Sequence, residues 1–285
     1  MQELECIVCH CKKFDKFSDS SNISLPVLKC RDCDLYFVDT SDVNIEEITK
    51  SLYKKEYWEA NASEESLSSD FQNEASRQKL KHLASQMKYC KEFLTGKHTL
   101  LEIGPGAGQA LVALEKMGYA VTGLEPDERN VSMINEKLSS GSCYQGYLGE
   151  TTIQGTFDVI WMSHVLEHLV RPDLALKIIK NNMNDNTILF IEVPDCANPR
   201  MLKQSVFENP HLYHFNKKNM HSFLSSLGFH ILKCDSFRIP SIPEAAFRKV
   251  LEKIGLTRWY EPQPYYPRII THGNNGQLVR FICKK

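Results

Sequence analysis

Two pairs of cysteines stand near the start of the chain, Cys6-Ile-Val-Cys9 and Cys30-Arg-Asp-Cys33. Each CxxC turn offers two thiolates from one tight knuckle, and with roughly twenty residues between them the pairs can close a tetrahedron around zinc. Four thiolates leave no open coordination position, so such a metal is structural and supplies folding energy to a short segment. Cys11 could replace Cys9, and His10 adjoins the first knuckle, but CxxC geometry favours Cys6, Cys9, Cys30 and Cys33. A thioredoxin-like redox role fits less well, because neither pair has a strand–turn–helix setting.

Three further groups carry chemistry. The stretch Thr99-Leu-Leu-Glu-Ile-Gly-Pro-Gly-Ala-Gly-Gln-Ala-Leu111 joins an apolar run suited to a buried parallel strand to a turn bearing Gly104, Gly106 and Gly108. Glycines there let the backbone turn tightly and approach a ligand, with the N–H groups of a following helix behind it. A second strand, Tyr119 to Glu125, ends in an acid about twenty residues beyond the glycines, as a ribose-binding carboxylate should. A dinucleotide site shares this outline, but the spacing here is GxGxG rather than GxGxxG. The apolar strand Phe157 to Met162 leads into Ser163-His-Val-Leu-Glu-His168, and a histidine can hold or take a proton near neutral pH. Finally, Glu208-Asn-Pro-His-Leu-Tyr-His-Phe-Asn216 concentrates His211, Tyr213 and His214 in a loop after the strand Ile188 to Val193, where ligands collect at the carboxyl edge of an open parallel sheet.

Taken in order, Glu102-Ile-Gly-Pro-Gly-Ala-Gly108, Gly123-Leu-Glu-Pro-Asp127, Phe157-Asp-Val-Ile-Trp-Met-Ser-His-Val-Leu-Glu-His-Leu169 and Ile188-Leu-Phe-Ile-Glu-Val-Pro194 make the chain resemble the class I methyltransferases that use S-adenosylmethionine (SAM). The resemblance implies an α/β, Rossmann-like, seven-stranded sheet carrying a small N-terminal zinc ribbon. It places Gly104, Gly106 and Gly108 against the methionine part of SAM, Glu102 toward its amino group, and Glu125, followed by Pro126, on the ribose hydroxyls. Ser163 and His164 fall beside the methyl region. Tyr147 and Leu148 become apolar walls for adenine, because the acid that this family often has on the third strand is missing before Glu150. A Tyr-rich segment ahead of the core helps to cover the cofactor in related enzymes, which makes Tyr57 or Tyr53 a lid residue. The 208–216 loop resembles the His-rich loop of methyltransferases acting on sugars and other small molecules. His211, Tyr213, His214 and His164 are therefore the candidate catalytic residues. Sugar C-methyltransferases tend toward His-Glu-His at this place; Asn209 stands here instead of the first histidine and speaks against C-methylation.

The elements that must position these groups follow from patterning. Residues 1–40 read as the ribbon, 41–98 as a helical linker and cofactor lid, and 99–285 as the methyltransferase domain, with a cap inserted at 236–276. Within the linker, Arg77 to Leu94 has the spacing of an amphipathic helix stopped by Gly96. The cap contains a helix from Pro243 to Ile254, then Trp259-Tyr-Glu-Pro-Gln-Pro-Tyr-Tyr-Pro267, flanked by Arg258 and Arg268. With 285 residues and 42% hydrophobic content, one α/β core with appendages accounts for the length. A net charge of −1 creates no global field for phosphate backbones, which disfavours nucleic acid as partner. No apolar run approaches a membrane span, the charged N-terminus does not read as a signal peptide, and ten cysteines suit a reducing interior, so the expected location is cytoplasmic. The sequence thus predicts methyl transfer to a small-molecule acceptor, foremost a sugar, nucleotide sugar or related metabolite. An RNA methyltransferase using the ribbon to bind RNA and a noncatalytic SAM-binding interaction protein are the rival readings.

Overall fold

The computed structural model describes residues 4–54, 74–151, 155–241 and 268–285, with isolated positions between 243 and 250. Tyr57 and most of the expected lid and cap, including Tyr260 to Pro267, lie outside the described residues.

Five parallel strands form the centre of the main sheet: β4 (Thr99–Ile103), β5 (Ala120–Glu125), β6 (Ser142–Gln145), β7 (Val159–Ser163) and β8 (Ile188–Pro194). They run in the order β6-β5-β4-β7-β8, so the chain leaves β4 in one direction and returns to its other side with β7. Continuous apolar runs suit strands covered on both faces. All seven residues of β8 are buried, and Trp161 of β7 stacks on Phe190 of β8 with ring centroids 4.0 Å apart. Beyond β8 the sheet turns antiparallel through β12 (Leu278–Lys284) and β10 (His230–Arg238). These are the seven strands expected. An eighth, β11 (Ile269–Thr271), extends the edge of β10 from within the stretch read as a cap.

Helices fill the crossovers: α3 (Gln109–Lys116), α4 (Glu128–Lys137), α5 (Pro172–Asn181), α6 (Pro199–Phe207) and α7 (Lys217–Ser226). Their starts are chemically marked. The Asp127 carboxylate accepts from the Arg129 and Asn130 N–H groups, and Asn216 and Asn219 satisfy one another in a reciprocal capping box. The linker supplies α1 (Ile45–Lys54) and α2 (Glu74–Cys90), the latter beginning three residues before the expected amphipathic helix.

The ribbon is a meander of β1 (Phe14–Ser18), β2 (Val27–Cys30) and β3 (Tyr36–Val38). It is no detached appendage. A two-residue strand from the His-rich loop, β9 (Tyr213–His214), pairs with β3 and becomes the fourth strand of the ribbon sheet. Cys6, Val8, Cys30, Leu35 and Phe37 share one buried cluster with Phe215, Met220 and Phe223 of the main domain. Burying these side chains ties the cysteine knuckles to the loop, each large apolar group contributing roughly 1.5–3 kcal/mol.

Candidate active site and metal knuckles

The reversal of strand order falls between β4 and β7, and in open α/β sheets ligands bind at the carboxyl ends of the strands there. The glycine turn leaves β4 at this point. Gly106 has φ 57°, and a Cβ there would meet nothing within 4 Å, so open space lies over the turn. Gly108 caps α3 with φ 80°, and its missing Cβ would lie 2.3 Å from Ile134 Cγ1; a side chain would push α4 away.

Glu125, at the end of β5, faces the same turn. Its carboxylate accepts from the Gly106 N–H at 2.9 Å, the Asp127 N–H at 3.1 Å and Asn130 Nδ2 at 3.4 Å. Burial pushes its pKa up to about 7 against these donors. Glu102 is buried on β4, and its Oε2 has no hydrogen-bond partner among the described residues. Burial raises this acid to about 8, with Lys79 pulling the other way. A buried acceptor lacking a donor, beside a turn open to solvent, suits a ligand that brings N–H groups of its own. The residues present therefore fit SAM, whose amino group and ribose diol both donate.

Pro126 and Tyr147 follow the two neighbouring strand ends. Gln145 Nε2 reaches the Pro126 carbonyl at 3.4 Å, and the Gly146 N–H bonds the Glu125 carbonyl at 3.0 Å. Leu148 bridges to Thr151, while Lys50 of α1 lies 5.2 Å from the centre of the Tyr147 ring and pairs with Glu150 at 2.7 Å. Helix α1 thus touches the expected adenine side, although Tyr57 cannot be placed.

At the end of β7, Ser163 and His164 enter a network that the sequence did not reveal. Its centre is Glu192, fully buried on β8. Arg280, directly opposite on β12, donates Nε to Glu192 Oε2 at 2.5 Å and NH1 to the Ser85 carbonyl at 3.0 Å. His82 and Gln86 of α2 reach Glu192 Oε1 at 2.5 and 2.9 Å, and Gln86 also donates to Ser163 Oγ at 2.8 Å. Burial alone would raise Glu192, but its neighbours His82, Arg280 and His164 hold it well below the usual carboxylate range; burial lowers His82 itself, so the permanent charge among them is Arg280. His164 sits with φ 57°, a left-handed conformation costing about 1–2 kcal/mol for a residue with a Cβ. Its ring lies between Glu167 at 3.3 Å and Glu192 at 3.4 Å. Burial lowers its pKa, but the two carboxylates outweigh that and hold the ring charged above the ordinary histidine range.

The loop residues point inward. Ser205 Oγ of α6 bonds both His211 Nδ1 and His214 Nδ1 at 2.7 Å, and Tyr213 donates to the Val170 carbonyl at 3.2 Å. Burial lowers both histidines, His211 well below the usual range and His214 to about 3, so the rings are neutral. Of the four expected catalytic side chains, His164 is the most open, at 41% exposure, against 7% for His211. Sequence reasoning therefore named residues that do converge, yet missed Glu192, Arg280, His82, Gln86 and Glu167 around them. A signal existed: Glu192 is the single charge in β8, and Arg280 interrupts the apolar run of β12.

In the ribbon, Cys6 Sγ lies 3.6 Å from Cys33 Sγ and Cys9 Sγ 3.4 Å from Cys30 Sγ, with all four within 4.8 Å of one another. A tetrahedral zinc with Zn–S of about 2.3 Å needs S···S separations near ~3.8 Å, so these thiols are spaced for one. Cys11 stands outside the group, its Sγ accepting from the Lys13 N–H, and His10 pairs with Glu5.

The sequence profile of a methyltransferase-domain family matches residues 74–233 of the chain. The chain belongs to that family. A ubiquinone biosynthesis O-methyltransferase from Caulobacter vibrioides is 28% identical over 99 residues, which cover 33% of this chain and 39% of the relative. The chain thus spans about 39% of the length of the curated relative it matches. Among solved structures, an Archaeoglobus fulgidus SAM-dependent methyltransferase aligns with TM-score 0.53 and 20% identity over 72% of this chain and 93% of its own. One from Thermotoga maritima gives 0.53 and 19% over 75% and 95%. The plantazolicin methyltransferase BpumL, solved with S-adenosylhomocysteine, gives 0.53 and 14% over 85% and 99%. At such identities these likenesses show the fold: the methyltransferase has the class I sheet, extended at its edge by β11. No helix among the described residues is long and apolar enough to cross a membrane.

Proposed function

We propose that the protein is an enzyme transferring the methyl group of SAM to a small-molecule acceptor, foremost a sugar, nucleotide sugar or related metabolite. The observation that carries this reading is the pairing of Glu125 with the Gly106 turn at the strand-order reversal, in a chain of this family. SAM supplies an activated methyl on a sulfonium, a good leaving group. The protein's share is to hold donor and acceptor in line and to take a proton where the acceptor carries one.

Glu125 and Pro126 hold the ribose in this reading, and Glu102 with Gly104, Gly106 and Gly108 holds the methionine part. Tyr147 and Leu148 wall the adenine, and Ser163 borders the methyl. A carboxylate offers two acceptor oxygens at a fixed span, matched to a cis-diol. His164, charged between two carboxylates and open on one face, donates a hydrogen bond to the acceptor. His211, Tyr213 and His214 position the acceptor wall from behind. Support for the sugar class comes from the likeness of the 208–216 loop to sugar-modifying relatives and from the near-neutral charge. The four ribbon thiols hold a structural zinc, and ten unpaired cysteines suit a reducing compartment such as the cytoplasm. The test is methyl transfer to a panel of nucleotide sugars beside simple phenols, with SAM affinity measured separately by calorimetry. Turnover on a sugar is expected. SAM binding with transfer only to phenols would move the acceptor to another class.

A further inference from the structure

Glu167 sits in the 3₁₀ turn Leu166–His168 after β7 and is 1% exposed. Among the described residues, neither of its carboxylate oxygens has a hydrogen-bond partner. Glu192 next to it is in the opposite condition, both oxygens already receiving donors from Arg280, Gln86 and His82. A buried carboxylate without donors costs several kcal/mol unless a cation or hydrogen bonds compensate it, and the charged His164 ring supplies only part of that because Glu192 shares it. His164 Nδ1 approaches Oε1 to 3.3 Å from the open side but forms no hydrogen bond with it.

Two buried histidines face the same carboxylate. One ring nitrogen each of His168 and His211, with one Glu167 oxygen, lie within 4.8 Å of one another, His211 Nε2 being 4.0 Å from Oε1. The far side of each ring is anchored. His168 Nδ1 donates to the Pro210 carbonyl at 3.2 Å, which in the neutral ring puts the lone pair on Nε2. His211 Nδ1 meets Ser205 Oγ at 2.7 Å, leaving Nε2 directed at Glu167. Metal-binding histidines show this arrangement, one nitrogen on the ion and the other tied to an oxygen that fixes the ring. The backbone joins the two halves as well: the Leu212 N–H bonds the Glu167 carbonyl at 2.8 Å.

We propose that Glu167, His168 and His211 form a binding site for a divalent transition-metal cation, separate from the ribbon thiols. Two imidazoles and a carboxylate suit Zn²⁺, Fe²⁺, Mn²⁺ or Co²⁺, and three protein ligands leave at least one position open for water or an acceptor oxygen. A cation there adds to the partial compensation that the His164 ring gives the buried Glu167 charge, and polarises an acceptor hydroxyl brought to it. The site does not depend on the methyl-transfer reading, because uptake of metal is measured without turnover.

Cobalt(II) is the probe, titrated into the full-length, zinc-loaded protein and followed by visible absorption. Cobalt on thiolates gives an intense sulfur-to-metal charge-transfer band, whereas cobalt on imidazole and carboxylate gives weak visible bands without it. Expected is saturable uptake of one equivalent with a thiolate-free spectrum, lost in Glu167→Gln and in His211→Asn while the ribbon's zinc stays bound. Near-ultraviolet circular dichroism and SAM affinity report whether each variant is folded. Absence of thiolate-free cobalt from the wild-type protein overturns the proposal, as does an unchanged spectrum in both folded variants.

Discussion

The two sides of the site are built in different ways. The donor side, from Thr99 to Asn130, is one βαβ unit in which Glu125 reaches the Gly106 N–H nineteen positions back. The proposed acceptor side is assembled from pieces far apart in the chain: the ribbon strand β3, the turn after β7, and the loop that becomes β9. The donor side takes its turn and carboxylate from one local unit and meets the ribbon only through the shared apolar cluster that includes Leu101, Ile103 and Leu124, whereas the proposed acceptor side takes a strand partner from the ribbon itself. Val38, eight positions past Cys30, donates its N–H to the Leu212 carbonyl, and Leu212 in turn bonds Glu167.

Breaking the ribbon should produce the largest effect and the sharpest contrast. Replacing Cys30 and Cys33 with Ser removes half of a thiolate set of the kind that contributes about 10–16 kcal/mol of apparent binding energy in zinc-finger peptides. Expected are release of one zinc per chain and loss of turnover, with SAM affinity within a few-fold of wild type by calorimetry. Full zinc retention would remove the metal assignment, and a parallel collapse of SAM affinity would remove the independence of the two sides.

Next in size is the buried pair behind both sides. Arg280→Met leaves Glu192 charged and short of a donor, for which about 3–5 kcal/mol of destabilisation is expected in denaturant unfolding. The double change with Glu192→Leu should recover much of that loss, since an apolar pair of similar volume avoids the desolvation cost.

A smaller, donor-side effect comes from Glu125. Its change to Gln should weaken SAM by about 1.5–3 kcal/mol, the worth of a hydrogen bond to a charged group. The pH dependence has a fixed sign. The folded chain keeps a proton on Glu125 that the unfolded chain releases, so ligand-free stability falls as pH rises from about 4.5 to about 7. SAM affinity should rise over that window as the carboxylate forms; Glu102, raised to about 8, acts with the same sign, so in the Gln variant both trends should shrink and shift toward the higher pH set by Glu102. Smallest is Asn216→Ala, where losing one half of a capping box should cost about 1 kcal/mol and leave SAM binding unchanged.

The same division governs how much the sequence disclosed. The strands, the glycine turn and Glu125 were readable because their spacing is short and regular. The knuckle thiols were readable for the same reason. The Glu192 network was not, because its members at 82, 86, 192 and 280 meet only after the antiparallel return of β12. Nor could spacing show that Tyr213 and His214 pair with the ribbon, since a two-residue strand carries no periodicity. Histidines that look reactive in a loop turn out to be held by Ser205, a residue with no signal of its own. The eighth strand, β11, escaped notice because three residues are too few to show alternation.

In the proposed reading this methyltransferase works on a small molecule and the ribbon supports its acceptor wall. The most direct measurement follows labelled methyl from SAM into a cell extract, comparing an untreated portion with one treated by nuclease, each passed through a small-molecule filter. Label is expected in the filtrate of both portions, undiminished by nuclease and absent with the Cys30→Ser, Cys33→Ser protein. Label confined to large, nuclease-sensitive material would contradict it and make the ribbon a nucleic-acid module.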